Sequence, residues 1–349
     1  AVDSLRTQAT RALAERCEHR LFLSATPHNG HTESFTALLE MIDNRRFSRG
    51  AQIDRQALDE VKVRRLKSQI TDKDFKQRSI QTLPFTPTSD EEGAFDDLAS
   101  ILDRSARANA LGGSGRSGGI VSLLLKKRFL SSPWAFARTL ELYDAARRPA
   151  SPADPDADYY AEVLGSGQSD EEEGLTEHPE FTALRAAKAH DPLSAATSAE
   201  LDRLVAWGRG YQHRPDSRLT ALLTMLDSVC RPDGRTWSNE RIVVFTEYAD
   251  TLEWIVDVLT QRGYGPVLDT IQGSTPSEKR ELTKARFNAP PGEAPIRVLV
   301  ATDAAGEGID LQAHCHRLVS FDVPFNPSRL EQRIGRIDRY GQRETPLVY

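Results

Sequence analysis

Apolar residues recur along this chain with two different periods, and the changes between them mark out its organisation. Residues 1–20 carry Leu5, Ala9, Ala12 and Leu13 at helical spacing. A three-residue apolar strand, 21–23, and a turn over 27–30 follow. Residues 32–43 then read as a helix with Phe35, Leu38, Leu39 and Ile42 on one face. The stretch 57–67 predicts a helix or short extension rich in arginine, and 80–85 alternates apolar and polar positions as a strand does. Residues 90–145 return to the helical period.

From about residue 183 the helical period resumes. A helix opens at Asp216 or Ser217, either being a plausible cap, with Leu219, Leu222, Leu223 and Leu226 on one face. Beyond it, strands and helices alternate: strands at 242–245, 267–271, 296–301 and 318–321, with helices at 249–262, 277–288 and 329–339. Alternating units of this length predict an α/β fold built on a parallel sheet covered on both faces.

Between these regular stretches the composition shifts. Residues 146–180 hold Pro149, Pro152, Pro155, several aspartates and the acidic run Glu171-Glu172-Glu173, a linker or insert with little to bury. The glycine-rich run at 112–119 reads as a flexible loop: it follows no strand signal and has no Lys-Ser or Lys-Thr pair. Three units follow: 1–88, a helical insert over 89–200 containing the linker, and 201–349.

With 349 residues, 39% hydrophobic and 28% charged, the chain is long enough for two domains with sizeable cores. Its formal net charge of -6 does not announce a nucleic-acid binder. That charge is segregated, however. Acids concentrate at 90–92 and 170–173 and bases at 62–78 and 329–343, and the local field governs attraction to phosphate. Three scattered cysteines, Cys17, Cys230 and Cys315, argue for a reducing cytoplasm rather than a disulfide framework. His314-Cys315-His316 has no second ligand cluster near it, so no metal site is expected. No apolar run is long enough to span a membrane, and no signal peptide opens the chain.

Candidate chemistry gathers near the end. Residues 332–342 read QRIGRIDRYGQ, a glutamine followed four and seven positions later by Arg336 and Arg339. On one exposed side of a helix, those guanidiniums would reach the terminal phosphates of a nucleotide and stabilise charge on the transferring group. Upstream, the apolar strand VLVATD at 298–303 runs into the small-residue turn AAGEGID at 304–310. Such a turn sets backbone N–H groups at the sheet's carboxyl edge, where open α/β sheets bind ligands. A further strand, LFLSATP at 21–27, also ends in small hydroxyl residues.

In order along the chain, LFLSATP, VLVATDAAGEGID and QRIGRIDRYGQ resemble motifs III, V and VI of superfamily 2 helicases. With FDVPFNP at 321–327, the SATPHNG turn and VRRLKS at 63–68, the resemblance narrows to the SWI/SNF-related double-stranded-DNA translocases. Within these it is closest to the bacterial RapA-like group and the SNF2-like helicase of the DISARM anti-phage system. It covers residues 20–80 and 215–345 closely and the middle loosely. The resemblance implies two RecA-like lobes: part of a first over 1–88, a helical insert, and a second over 201–349. No G-x-x-x-x-G-K-[ST] loop or D-E-x-H-type motif occurs. The chain is therefore expected to begin just before motif III and to stop within a strand, a fragment without ATPase activity of its own.

The resemblance implies ATP and magnesium as cofactors, held mainly by the part of the first lobe that is missing, and double-stranded DNA as partner. Arg336 and Arg339 become arginine-finger candidates, and Gln332 lies near the nucleotide or the lobe interface. Arg333 is expected on a different helix face, pairing with an acid near Glu331. Gly306, Glu307 and Gly308 shape the motif V turn; Asp310 meets the ribose or the interlobe network, or is a helix cap. Ser24 and Thr26 couple the acidic motif to DNA and lobe closure. Thr246 and Thr302 are expected on the DNA backbone. Gly273, Ser274 and Thr275, with Arg280, resemble another phosphate-contacting segment, although Ser274 or Thr275 serves equally as an N-cap. Arg64, Arg65 and Lys67 bind phosphate or anchor the lobe interface. LLKKRFLSSP at 124–133 resembles the helix preceding the second lobe and reads as well as an amphipathic helix with a basic face. A non-catalytic module docking RNA polymerase or a defence-complex subunit is the alternative to a motor.

Overall fold

The structure, a computed structural model, describes residues 5–23, 32–64, 75–111, 115–147, 195–303, 309–324 and 326–349. Six strands form one sheet in the order β1-β6-β5-β2-β4-β3, every neighbouring pair parallel. They are β1 (Ser79–Ile80), β2 (Ile242–Thr246), β3 (Leu268–Ile271), β4 (Val298–Thr302), β5 (Arg317–Ser320) and β6 (Leu347–Val348). In β2 and β4 every residue is buried, as an interior parallel strand requires.

Alternation along these strands divides the core into two layers. Ile242, Val244, Val298 and Val300 face one side. There they pack under α8 (Ser217–Cys230) and α9 (Ala249–Gln261), through Leu219, Leu222 and Leu226 of the first and Trp254, Ile255 and Leu259 of the second. Val243, Phe245 and Leu299 face the other side, against Phe287 of α10 (Ser277–Asn288) and Ile334 of α11 (Pro327–Ile334). The cap of α8 is Asp216, whose side chain accepts from the Leu219 N–H at 2.7 Å. Each apolar side chain taken fully from water contributes about 1.5–3 kcal/mol, so these two layers carry most of the sheet's stability.

A separate helical layer is made by α4 (Ser89–Leu111), α5 (Gly115–Ser131), α6 (Pro133–Arg147) and α7 (Ala195–Arg209). Its core holds Leu98, Leu102, Leu124, Leu125, Phe136, Leu140, Leu201 and Leu204. Phe129 stacks flat on Trp207 at 5.3 Å, and the Trp207 indole N–H donates to Asp90. At Gly208 a Cβ would lie 2.5 Å from the Pro133 carbonyl oxygen, so glycine permits the close crossing of α6 and α7. Glu91 accepts from both the N–H and the hydroxyl of Ser217, tying α4 to the start of α8. Near the start of the chain, α1 (Leu5–Arg16) packs on α2 (Thr32–Ile42) through the Arg11–Glu40 pair at 2.6 Å; α3 (Arg55–Val61) follows with Asp54 as its cap.

Five sequence expectations are corrected. Residues 21–23 form no strand: Leu21 and Leu23 are exposed, and no described strand lies beside them to take up their backbone groups. The strand expected at 80–85 is confined to Ser79–Ile80, its ladder made by the Ser79 N–H on the Pro346 carbonyl and the Gln81 N–H on the Val348 carbonyl. It pairs with β6, so residues 79–80 join the sheet of residues 201–349 although the sequence boundary placed them with 1–88. The glycine-rich loop is helical from Gly115 onward. The last helix ends at Ile334 with Gly335 as its cap, five residues before its expected end. The linker at 148–180, and Arg65 and Lys67, lie outside the described residues.

Candidate functional site

The carboxyl ends of β2, β4 and β5 lie side by side and present Thr246, Asp303 and Asp322 in turn. Asp322 follows the buried Phe321 and is itself 9% exposed. Its carboxylate accepts from the Thr246 hydroxyl at 2.6 Å, from the Glu247 N–H at 2.9 Å and from the Ser131 hydroxyl at 2.9 Å. On its other side stands Arg333 of α11, 2% exposed, whose Nη2 lies 3.2 Å from Asp322 Oδ1. Arg333 Nη1 donates to the Asp322 carbonyl at 2.6 Å, while Nε and Nη2 grip Asp303 as a fork at 2.5 and 2.8 Å. Burial works against this guanidinium's charge. The hydrogen bond to Asp303 and the charges of Asp322 and Asp303 outweigh that effect, and its pKa is raised.

This arrangement revises the roles expected of the arginines. Arg333 is the buried hub, and its acids are Asp303 and Asp322 rather than a neighbour of Glu331. The chain tightens after Ile334, with the Arg336 N–H on the Arg333 carbonyl and the Asp338 N–H on that of Ile334. Arg336 and Arg339 therefore do not share one exposed helix side: Arg336 is 8% exposed and Arg339 lies at the surface. The Arg336 carbonyl accepts from the Leu311 N–H at 2.9 Å. Arg339 pairs with Asp310, and its Nε donates to the Gly335 carbonyl at 2.9 Å. The fold thus brings Arg336, Arg339 and Asp310 to one place; Gln332 is half-buried on α11 beside them.

Several expected contacts with DNA are altered as well. Thr246 is fully buried and its hydroxyl is committed to Asp322, so it is not open to a DNA backbone. Thr302 is 1% exposed, and its hydroxyl has no hydrogen-bond partner among the described residues. Gly273 and Ser274 are exposed in a tight turn closed by the Thr275 N–H on the Gln272 carbonyl. The Thr275 hydroxyl accepts from the Gln272 N–H, and the cap of α10 is Pro276, so neither Ser274 nor Thr275 is the N-cap. Arg280, one turn along, is half-buried with its Nε unpartnered. Ser24, Thr26, Gly306, Glu307 and Gly308 lie outside the described residues.

Cations brace the approach to this edge. Lys127 meets Glu247 at 3.0 Å and Arg329 lies 3.8 Å from the same carboxylate, whose pKa burial raises. Arg128, wholly buried, lies over the Tyr248 ring at 3.9 Å. Arg78, next to β1, forks onto Glu331 with two contacts of 2.8 Å, so the segment before β1 is pinned to α11. Among the described residues no group of three His, Cys, Asp or Glu could hold a metal ion. Burial pushes the Cys315 thiol up to about 12 and lowers the pKa of His316.

Residues 219–341, which contain the sheet's centre, Asp322 and the arginine-rich turn, match the family described as helicase conserved C-terminal domain. This segment is similar in sequence to helicase C-terminal domains. Among curated proteins, the chain is 39% identical over 111 residues to an uncharacterized ATP-dependent helicase, YqhH, of Bacillus subtilis. That match covers 32% of this chain and 18% of YqhH. It is 30% identical over 141 residues to the DNA repair and recombination protein RAD54-like of Gallus gallus, covering 40% of this chain and 19% of that protein. The chain thus spans less than a fifth of either relative. The crystal structure of the C-terminal part of the Fun30 ATPase domain superposes with a TM-score of 0.42 at 16% identity, over 79% of this chain and 85% of that one. A likeness that distant carries nothing about function.

Within the matched segment, Asp322, Asp303 and Arg333 form the best-connected polar cluster at the sheet edge, yet sequence reasoning singled out none of the three as a site residue. The available signal was an acid two residues after a strand ends, in FDVP. Ser131 lies in LLKKRFLSSP, a segment marked by the resemblance, but nothing local tied it to Asp322.

Proposed function

We propose that this chain is part of an ATP-dependent double-stranded-DNA translocase of the SWI/SNF-related branch of superfamily 2. The observation that carries the reading is the match to helicase C-terminal domains over residues 219–341, with its arginine-rich turn at the carboxyl edge of a parallel sheet. In this reading Arg336 and Arg339 face a nucleotide held between two lobes, and Gln332 lies at that interface. ATP supplies the phosphoryl bond whose cleavage drives the motor. Arg336 and Arg339 offer cations for its phosphates, and magnesium would accompany the nucleotide. Asp310 holds Arg339 in the arrangement seen here and releases it when phosphate arrives. Release of one ion pair in exchange for a doubly charged phosphate favours the bound state.

Duplex DNA is the substrate on this reading, gripped through its phosphates without sequence readout. The exposed turn at Gly273 and Ser274 supports one contact point. No described helix is long and apolar enough to cross a membrane. RapA-like or DISARM membership, and with it RNA polymerase or a defence complex as partner, rests on FDVPFNP and its neighbours.

The test is ATPase turnover, with and without duplex DNA, in the natural protein that contains this chain. Arg336→Ala and Arg339→Ala are each expected to lower turnover by about 1,000-fold or more, with duplex affinity changed less than about threefold. Unchanged turnover in both variants removes the finger assignment. A wild-type protein inert with every nucleic acid removes the motor and favours a docking module.

A further inference from the structure

Ser131 and Ser132 stand where α5 runs into α6, in the helical layer rather than on the sheet. Both are fully buried. Their hydroxyls meet the Thr251 hydroxyl at 2.7 and 2.9 Å, and Ser131 also donates to Asp322 at 2.9 Å. The helical layer is held against α9 by Arg138 on Asp250 at 2.6 Å as well. Any tilt of α5 and α6 therefore carries Ser131 with it.

Asp322 is the point where this layer meets the arginine-rich turn. A carboxylate offers about four lone-pair sites. Here they are occupied by Ser131, Thr246, the Glu247 N–H and Arg333. A buried carboxylate filled in this way has no water to exchange with, so displacing one donor re-aims it against the other three. Arg333 passes the displacement to Asp303 at the end of β4, on the opposite side of the sheet's centre from β5. Hydroxyl, carboxylate, guanidinium and second carboxylate thus form one unbroken line from the helical layer to the strand that leads into the small-residue turn.

We propose that Asp322 is a positioning residue that couples the helical layer of α4 to α7 to the Arg333–Asp303 pair, so that a displacement of that layer resets the pair. Its consequence for turnover rests on the function proposed above; the coupling itself does not.

The decisive experiment is a double-mutant cycle on this chain with Ser131→Ala and Asp303→Asn. Among the described residues these two share no hydrogen bond, and the line through Asp322 and Arg333 connects them. The expected result is a departure from additivity of roughly threefold or more in the unfolding equilibrium constant, where unconnected sites add. If Asp303→Asn does not fold, amide exchange in Ser131→Ala decides alone. Exchange should quicken about threefold or more across Pro327–Ile334 while Ser277–Asn288, outside the line, keeps its rate. Additive energies, or unchanged exchange at Pro327–Ile334, overturn the proposal. In a protein with measurable turnover, Ser131→Ala should lower kcat at constant KM for ATP, and an unchanged kcat overturns the functional half. Absence of turnover in the wild type counts against the proposed function instead, and the cycle and the exchange still decide the coupling.

Discussion

Removing the side chain of Arg333 tests the physical reading of the sheet edge most directly. Arg333→Ala deletes a guanidinium 2% exposed that donates to Asp303, to the Asp322 carboxylate and to the Asp322 carbonyl. Two carboxylates, 12% and 8% exposed at their side chains, are then left facing each other without a cation. Breaking a buried pair from one side costs about 3–5 kcal/mol, because the remaining charge is uncompensated. At about 2–4 °C per kcal/mol in a unit of 150–250 residues, the melting point should fall by roughly 6–20 °C. Arg333→Lys keeps the charge but cannot fork onto Asp303 while reaching Asp322, and should lose about half as much. The assay is thermal unfolding followed by circular dichroism and by the fluorescence of Trp254, a buried ring 6.2 Å from Phe321. Because the pair is buried, the loss should change little between 0.1 and 0.5 M salt, at Debye lengths of about 10 Å and less. An Arg333→Ala protein within about 0.5 kcal/mol of wild type would behave like an ordinary surface substitution, and the hub assignment would fall.

Three other outcomes are expected. Burial holds the Asp216 carboxyl at about 6, above its ordinary 3.8, so the folded chain binds this proton more tightly than the unfolded one. Its contribution is complete below about pH 4 and is lost as pH rises through about 6, a change of up to about 3 kcal/mol; Asp216→Asn, which keeps the cap, should flatten that slope in denaturant titrations. Gly208→Ala should cost about 1–3 kcal/mol by forcing a Cβ against the Pro133 carbonyl, read as a lower urea midpoint, and wild-type stability would mean that α6 and α7 separate freely. Arg78→Ala removes a half-exposed fork onto Glu331 and should cost under about 1 kcal/mol, yet it should speed amide exchange at Ser79 and Gln81; unaltered exchange there would show that β1 holds without it.

What the sequence made legible followed from local pattern. The apolar runs at β2 and β4 and the 3.6 period of α8 to α10 each report burial of their own residues, and the helix at 277–288 has the same bounds in the structure. Asp216 was readable as a cap because capping needs only the next three residues. Arg333 was misplaced because residues 329–339 were read as one helix. Its acids, Asp303 and Asp322, lie 30 and 11 residues away in sequence, so no local pattern marks the face that turns into the core. Asp322 could not be found in this way, since its meaning depends on Ser131, 191 residues earlier. Nor could the placement of β1, a two-residue strand whose partner lies near the other end of the chain.

That pairing also has a consequence for how the chain reaches its native state. Ser79 finds Leu347 only after everything between them has been synthesised, so the outer edge of the sheet is among the last pieces to close. Contacts of such separation slow folding, because the intervening loop must be ordered before they contribute. Until then β5 presents an unpaired edge in a nascent chain, and an unpaired edge is where neighbouring chains can add strands. Arg78, forked onto Glu331, works as a latch on that late step. Variants that weaken the latch should therefore reveal themselves during production, as material lost to aggregation, before any effect is seen on the finished protein.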